Sequence, residues 1–228
     1  MSGDDDLRGL FVAGTGTGVG KTVVTAGLTG WLGERGVDAR AVKPAQTGHP
    51  PDDDAAFVAA ACGDEDAAVC HRRLEPALAP RVAAEREGVD LSYDTIRRDC
   101  EASVAEAEAA VVEGIGGLRV PLAGDREVLD LAADLALPAV VVARSGLGTL
   151  NHTALTVDAL LDRGVPVRGV VLNDYAGDSL AERTNPDELR RMLDVPVWTV
   201  PPLELDDPAA AVAGVREALP ETVLEGLC

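Results

Sequence analysis

Lysine is almost missing from this chain. Its 228 residues contain two, Lys21 and Lys43, and the rest of the positive charge is carried by arginine. Lysine is ordinarily a common surface residue, so two that persist in such a background are candidates for chemistry. Aromatic residues make up 3% and methionine numbers two, against a hydrophobic fraction of 46%. The core must therefore be built from Val, Leu and Ala. No stretch approaches the roughly 20 apolar residues of a helical membrane span, and Met1 to Asp6 is acidic rather than signal-like, so the expected location is cytoplasmic. Cys62, Cys70, Cys100 and Cys228 form no C-x-x-C pair, and His49, His71 and His152 are dispersed, which leaves reduced thiols and no local zinc motif. Positive charge is also short overall. A net charge of −19 and a pI near 4.4 argue against nucleic acid or an anionic membrane as partner. The same balance suits a surface adapted to concentrated salt, or a GC-rich genome that favours Arg and Ala codons.

What is present is phosphate chemistry. The apolar run Leu10 to Ala13 leads into Gly14-Thr15-Gly16-Thr17-Gly18-Val19-Gly20-Lys21-Thr22, and a helical pattern follows at Val23, Val24, Leu28, Trp31 and Leu32. In a strand, glycine-rich loop and helix of this kind the loop N–H groups face an anion. Lys21 reaches the outer phosphates and the Thr22 hydroxyl can bind Mg²⁺. The spacing G-x-x-x-x-G-K-[ST] would put its first glycine at position 15, which is Thr15. The first glycine available is Gly14, so the loop is one residue longer.

Downstream, a short strand Ala39 to Val42 delivers Lys43-Pro44-Ala45-Gln46-Thr47-Gly48, and a helix is expected from Asp54 to Ala61. Residues 63 to 92 read as irregular, with a short helix at Val82 to Glu87, and a longer helix covers Tyr93 to Ala107. Strands and helices then alternate: strand 110–112, helix 127–135, strand 139–143, helix 151–163, strand 167–172, helix 186–193, strand 197–200 and a helix from Ala209. Short apolar strands separated by helices imply an α/β fold, a doubly wound, mostly parallel sheet with helices on both faces, here as one P-loop domain. Ligands of such sheets gather at the carboxyl ends of the strands.

The motifs collect there. Glu113 stands just past an apolar strand, where P-loop proteins carry a metal-binding acid. Asp54 is a third candidate beside Thr22 for a Mg²⁺ shell of hard oxygens, although Asp52, Asp53 or Asp54 could instead cap the helix. Lys43 supplies a second ammonium, useful because phosphoryl transfer depends on positioning and on neutralising oxygens. The turn Arg144 to His152 places free N–H groups at a helix start, suited to a carboxylate or simply a capped turn.

Six segments, GTGTGVGKT (14–22), KPAQTG (43–48), EGIGG (113–117), RSGLGTLNHT (144–153), GVVLND (169–174) and ERTNP (182–186), occur in the order and approximate spacing of the dethiobiotin synthetases, and the chain resembles that family from about residue 9 to Leu203. The resemblance implies an ATP-dependent ligase that carboxylates 7,8-diaminopelargonate with CO₂ and closes a ureido ring through a phosphorylated carbamate. By this resemblance Lys43 and Lys21 are catalytic, and Thr22, Asp54 and Glu113 ligate Mg²⁺. The nucleotide set is Gly18, Val19, Gly20, Lys21, Thr22, Val23, Glu113, Gly114, Ile115, Gly116, Asn173, Asp174, Pro201, Pro202 and Leu203. The substrate set is Thr17, Thr47, Gly148, Thr149, Leu150 and Asn151, the last four acting from a neighbouring subunit, which implies a homodimer. The chain departs from the family pattern at Gly18, where some members carry an acid, at Ile115, and at Arg81, where histidine is common. A partitioning-type ATPase, a binding switch, is the rival from another class, but its signature lysine would stand at Gly16. A GTPase would need Asn-Lys-x-Asp where this chain has Asn173-Asp174-Tyr175-Ala176.

Overall fold

The computed structural model describes residues 8–227, so Met1 to Asp6 and Cys228 lie outside the described residues. The chain opens with β1 (Gly9–Gly14), α1 (Lys21–Glu34), β2 (Ala39–Lys43), the two-residue β3 (Gln46–Thr47) and α2 (Asp54–Cys62). It continues through β4 (Ala68–Cys70), β5 (Arg73–Leu74), α3 (Pro80–Glu87), α4 (Tyr93–Glu106) and β6 (Ala109–Glu113). After the small β7 (Pro121–Ala123) and β8 (Arg126–Glu127) come α5 (Val128–Leu135), β9 (Ala139–Arg144), α6 (Thr149–Asp162) and β10 (Val167–Asn173). Then follow α7 (Leu180–Met192), β11 (Val197–Thr199) and α8 (Ala209–Ala218).

Seven strands form one parallel sheet in the order β11-β10-β9-β1-β6-β2-β4. The central strands are valine-rich and buried on both sides, which is why they read as continuous apolar runs rather than alternating ones. One face packs Phe11, Val112, Val141 and Leu172 against Ile96, Leu131, Leu160 and Leu189. The other packs Leu10, Val12, Val111 and Val142 against Leu28, Leu32, Val215 and Val223. On this second face α1 and α8 approach closely: a Cβ on Gly27 would stand 2.3 Å from the Val215 Cβ, and one on Gly30 2.4 Å from a Val212 methyl carbon.

Beyond the small pairs β3–β5 and β7–β8, which the sequence reading did not include, the structure departs from it in two larger elements. Residues 63 to 92 are not merely irregular, since Ala68–Cys70 is the seventh strand, pairing with Ala41–Lys43 at the sheet edge. The apolar run Ala67 to Cys70 is short, half-buried at the strand itself and set between Glu65-Asp66 and Arg72-Arg73, and its pairing with β2 is what makes it a strand. The expected helix 186–193 begins instead at Leu180, with Pro186 inside it. Ser179 accepts from the Glu182 backbone N–H and the Glu182 carboxylate accepts from that of Ser179, a capping box that outweighs the preference of proline for a first turn.

Candidate active site

The P-loop occupies the carboxyl end of β1 at the centre of the sheet. Gly20, the residue before α1, has φ 97°, and a Cβ there would lie 2.1 Å from the Asn173 amide nitrogen, so only glycine fits. Gly14 has a different role. A Cβ on it would meet the Lys21 Cδ at 2.8 Å, so the early glycine that lengthens the motif is what lets the lysine stem lie back over the loop. The Lys21 Nζ donates to the Gly16 carbonyl at 2.9 Å. Burial, and then repulsion from Lys43, push its pKa down to about 8.

Lys43 ends β2 and is 6% exposed. Its Nζ lies 2.5 Å from Asp54 Oδ2 and 2.7 Å from Glu113 Oε1. Burial alone would lower its pKa, but the two carboxylates outweigh burial and hold the ammonium above the ordinary lysine range. The same Glu113 oxygen accepts from the Thr22 hydroxyl at 3.0 Å. One buried carboxylate, 2% exposed, thus ties the helix behind the P-loop to the tip of the neighbouring strand.

The adjacent aspartates divide their tasks. Asp53 caps α2 by accepting from the Ala56 backbone N–H at 3.1 Å, and Arg73 holds its carboxylate. With the cap filled, Asp54 turns to Lys43. Gln46, 6% exposed, accepts the Asp54 N–H at 3.3 Å and steadies that turn.

Two clefts flank the P-loop. A cleft of about 640 Å³ is lined by Thr17, Lys21, Thr22, Lys43, Thr47, Asp54, Glu113, Ile115 and Gly116, so both ammonium groups face one cavity. Its walls also include Gln46, Asp52, Ala77, Leu78, Ala79 and Val120, which the sequence reading did not assign. On the other side, a cleft of about 550 Å³ is lined by Gly18, Val19, Gly20, Val23, Asn173, Asp174, Pro201, Pro202 and Leu203, with Arg144, Ser145, Gly146, Glu182 and Leu205 in addition. Arg144 and Glu182 lie inside motifs singled out from the sequence, but their shared wall is invisible until β9 and α7 are brought together. Gly114 lines neither cleft, because it packs on Phe11. Gly148, Thr149, Leu150 and Asn151 begin α6 and line neither cleft of their own chain.

A family model described as an AAA domain matches residues 8–209. The ATP-dependent dethiobiotin synthetase BioD of Haloferax mediterranei is 58% identical over 217 residues, covering 95% of this chain and 94% of that protein. The enzyme of the same name from Anaeromyxobacter sp. (strain K) is 46% identical over 191 residues, covering 82% and 86%. The chain belongs to the dethiobiotin synthetase family. Among solved structures, the septum site-determining protein MinD of Pyrococcus horikoshii, complexed with Mg-ADP, aligns with a TM-score of 0.55 at 18% identity over 91% of this chain and 86% of that one. An ADP-bound nucleotide-binding protein of Archaeoglobus fulgidus aligns at 0.54 and 15% identity, covering 97% and 92%. These likenesses establish the P-loop α/β fold of the synthetase. They do not extend to the partitioning signature, since position 16 is glycine.

Proposed function

We propose that this chain is an ATP-dependent dethiobiotin synthetase, a ligase acting on 7,8-diaminopelargonate, CO₂ and ATP. One amine of the diamine attacks CO₂ and loses a proton, giving a carbamate. A carbamate oxygen takes the γ-phosphoryl group and ADP leaves. The second amine then attacks the activated carbonyl carbon and loses a proton, phosphate departs, and the ureido ring closes. The observation that carries this reading is the convergence of Lys21 and Lys43 on one cleft, in a chain 58% identical to a synthetase across nearly its whole length.

In this reading Lys21 and the loop N–H groups hold the phosphates, and Lys43, kept charged by its two carboxylates, faces the carbamate and the transferring phosphoryl oxygens. Thr17 and Thr47 hold the diamine, and the apolar stem lies along Ala77, Leu78, Ile115 and Val120. The nucleoside occupies the cleft of Asn173, Asp174 and Pro201 to Leu203, while Gly114 acts by letting the strand pack closely on Phe11. The oxygens of Thr22, Asp54 and Glu113 suit Mg²⁺. Among the described residues no group of three or more His, Cys, Asp or Glu is gathered as a metal cage, and two carboxylates and a hydroxyl suit an ion that keeps waters and shares phosphate oxygens. When bound, the ion neutralises phosphate charge. That Gly148 to Asn151 stand outside both clefts, beside a Leu147 that is 93% exposed, favours a homodimer in which they complete the partner's site. Among the described residues no helix is long and apolar enough to cross a membrane, and we place the enzyme in the cytoplasm.

Purified protein incubated with the diamine, bicarbonate, Mg²⁺ and each nucleotide in turn is expected to give the cyclic urea, detected by mass spectrometry. Lys43→Ala is expected to abolish ring closure while nucleotide binding persists, and Lys43→Arg to fail as well, because a planar fork cannot replace a point charge. Near-normal turnover by Lys43→Ala refutes the catalytic assignment.

A further inference from the structure

Arg144 ends β9 and supplies the one cation among the residues lining the Asn173 cleft, where Asp174 and Glu182 are the other charged groups. Its backbone is in register with Asn173 across β9 and β10, and the two residues that follow it are firmly held. The Asn185 amide, 5% exposed on α7, donates to the carbonyls of Ser145 at 2.7 Å and Gly146 at 3.0 Å. The Ser145 hydroxyl adds bonds to Glu182 Oε1 at 2.8 Å and to the Asp174 carbonyl at 3.2 Å. The guanidinium itself is exposed and loosely tied, since Nε and Nη2 share one acceptor, the Gly18 carbonyl, at 3.4 and 3.3 Å.

That contact depends on Gly18, one of the positions where the sequence departs from the family pattern. Gly18 has φ +68°, and a Cβ there would stand 3.3 Å from Arg144 Nη2, so a longer side chain would compete for the space the guanidinium uses. A guanidinium has five donors in a fork, and a neutral carbonyl at 3.3 to 3.4 Å is a poor use of it. A phosphate oxygen is a better acceptor, taking shorter, charge-assisted and often paired bonds. The need for such a cation is general in a chain of net charge −19. Without Arg144 every charged side chain lining this cleft would be acidic, which disfavours a polyanion there.

We propose that Arg144 is a nucleotide-binding residue, its guanidinium leaving the Gly18 carbonyl for the phosphate chain of the bound nucleotide. This rests on the ATP reading above. A fixed backbone and a free head let the arginine change partner without moving β9 or α6.

The test compares wild type with Arg144→Gln and Arg144→Lys by calorimetric titration with Mg-ATP, by KM for ATP and for the diamine, and by ligand-free melting. Arg144→Gln is expected to raise the Kd and KM for ATP by about tenfold or more, and Arg144→Lys by clearly less, since it retains the charge. The KM for the diamine is expected to shift much less, as is ligand-free melting. An Arg144→Gln Kd within about twofold of wild type overturns the proposal, as does a glutamine variant equal to the lysine one. An equal rise in the diamine KM with lowered melting assigns Arg144 to the scaffold and also overturns it. Wild type that binds Mg-ATP yet makes no cyclic urea refutes the enzyme reading and leaves the binding comparison in force. Wild type that binds no nucleotide refutes both.

Discussion

Lys21 should destabilise the ligand-free protein, and replacing it should show by how much. Lys21 as a residue is 6% exposed, its charge stands near that of Lys43, and its pKa falls from 10.5 to about 8, with burial as the leading cause. At about 1.4 kcal/mol per pH unit, this puts the charged form about 3 kcal/mol uphill in the folded state. A folded pKa below the unfolded one means that below pH 8 both states are protonated and the full penalty applies. Between 8 and 10.5 the unfolded state binds more protons, so stability rises with pH as the penalty is relieved. Lys21→Met keeps the stem and removes the charge. At pH 7, without nucleotide or divalent ion and at fixed KCl, it is expected to be about 2–3 kcal/mol more stable than wild type, or roughly 5–10 °C in Tm for a chain of this size. It should also lose nucleotide binding. The stability gap should shrink as the melts are repeated from pH 8 to 10. A methionine variant no more stable than wild type at pH 7, or a gap that widens with pH, refutes the argument.

Three further outcomes follow from the packing and the charge. Gly27→Ala gains helix propensity but drives a methyl into Val215, and is expected to cost about 1–3 kcal/mol in urea unfolding; a neutral result would mean α8 can retreat. The Cys100 thiol, fully buried, is pushed up to about 12 chiefly by burial, so it should resist thiol reagents at pH 8 until the protein unfolds, which timed labelling with mass readout checks. With a net charge of −19, the protein is expected to melt at higher temperature in about 2 M KCl than in about 0.1 M, and full stability at low salt removes the salt-adaptation reading.

The site was legible where one residue type at one spacing is tied to one chemistry. Lys43 and Glu113 could be set at strand tips because each closes an apolar run, and Lys21 and Thr22 at a helix start because a glycine-rich loop precedes them; the structure brings all four to one cleft. The choice among Asp52, Asp53 and Asp54 was not legible, because it turns on Arg73, which pairs with Asp53 from a different strand. The Arg144–Glu182 wall was hidden for the same reason: it forms through Ser145 and Asn185, from elements that meet only in the fold. Ser179-Leu180-Ala181-Glu182 did carry a readable start signal for α7, overshadowed by Pro186. The edge strand Ala68–Cys70 does lie in an apolar run, but charge- and proline-rich sequence around it hid that run until β2 was seen beside it.

The helix that backs the phosphate loop leans on a late segment. Its glycine face is shaped for α8, and Glu34 is bridged by Arg216, 182 positions later. Leu28 and Leu32 share their core with Val215, so they keep full cover only while residues 209–218 lie against α1. Damage to α8, far along the chain from the glycine-rich loop, is therefore expected to loosen the very helix on which that loop is mounted.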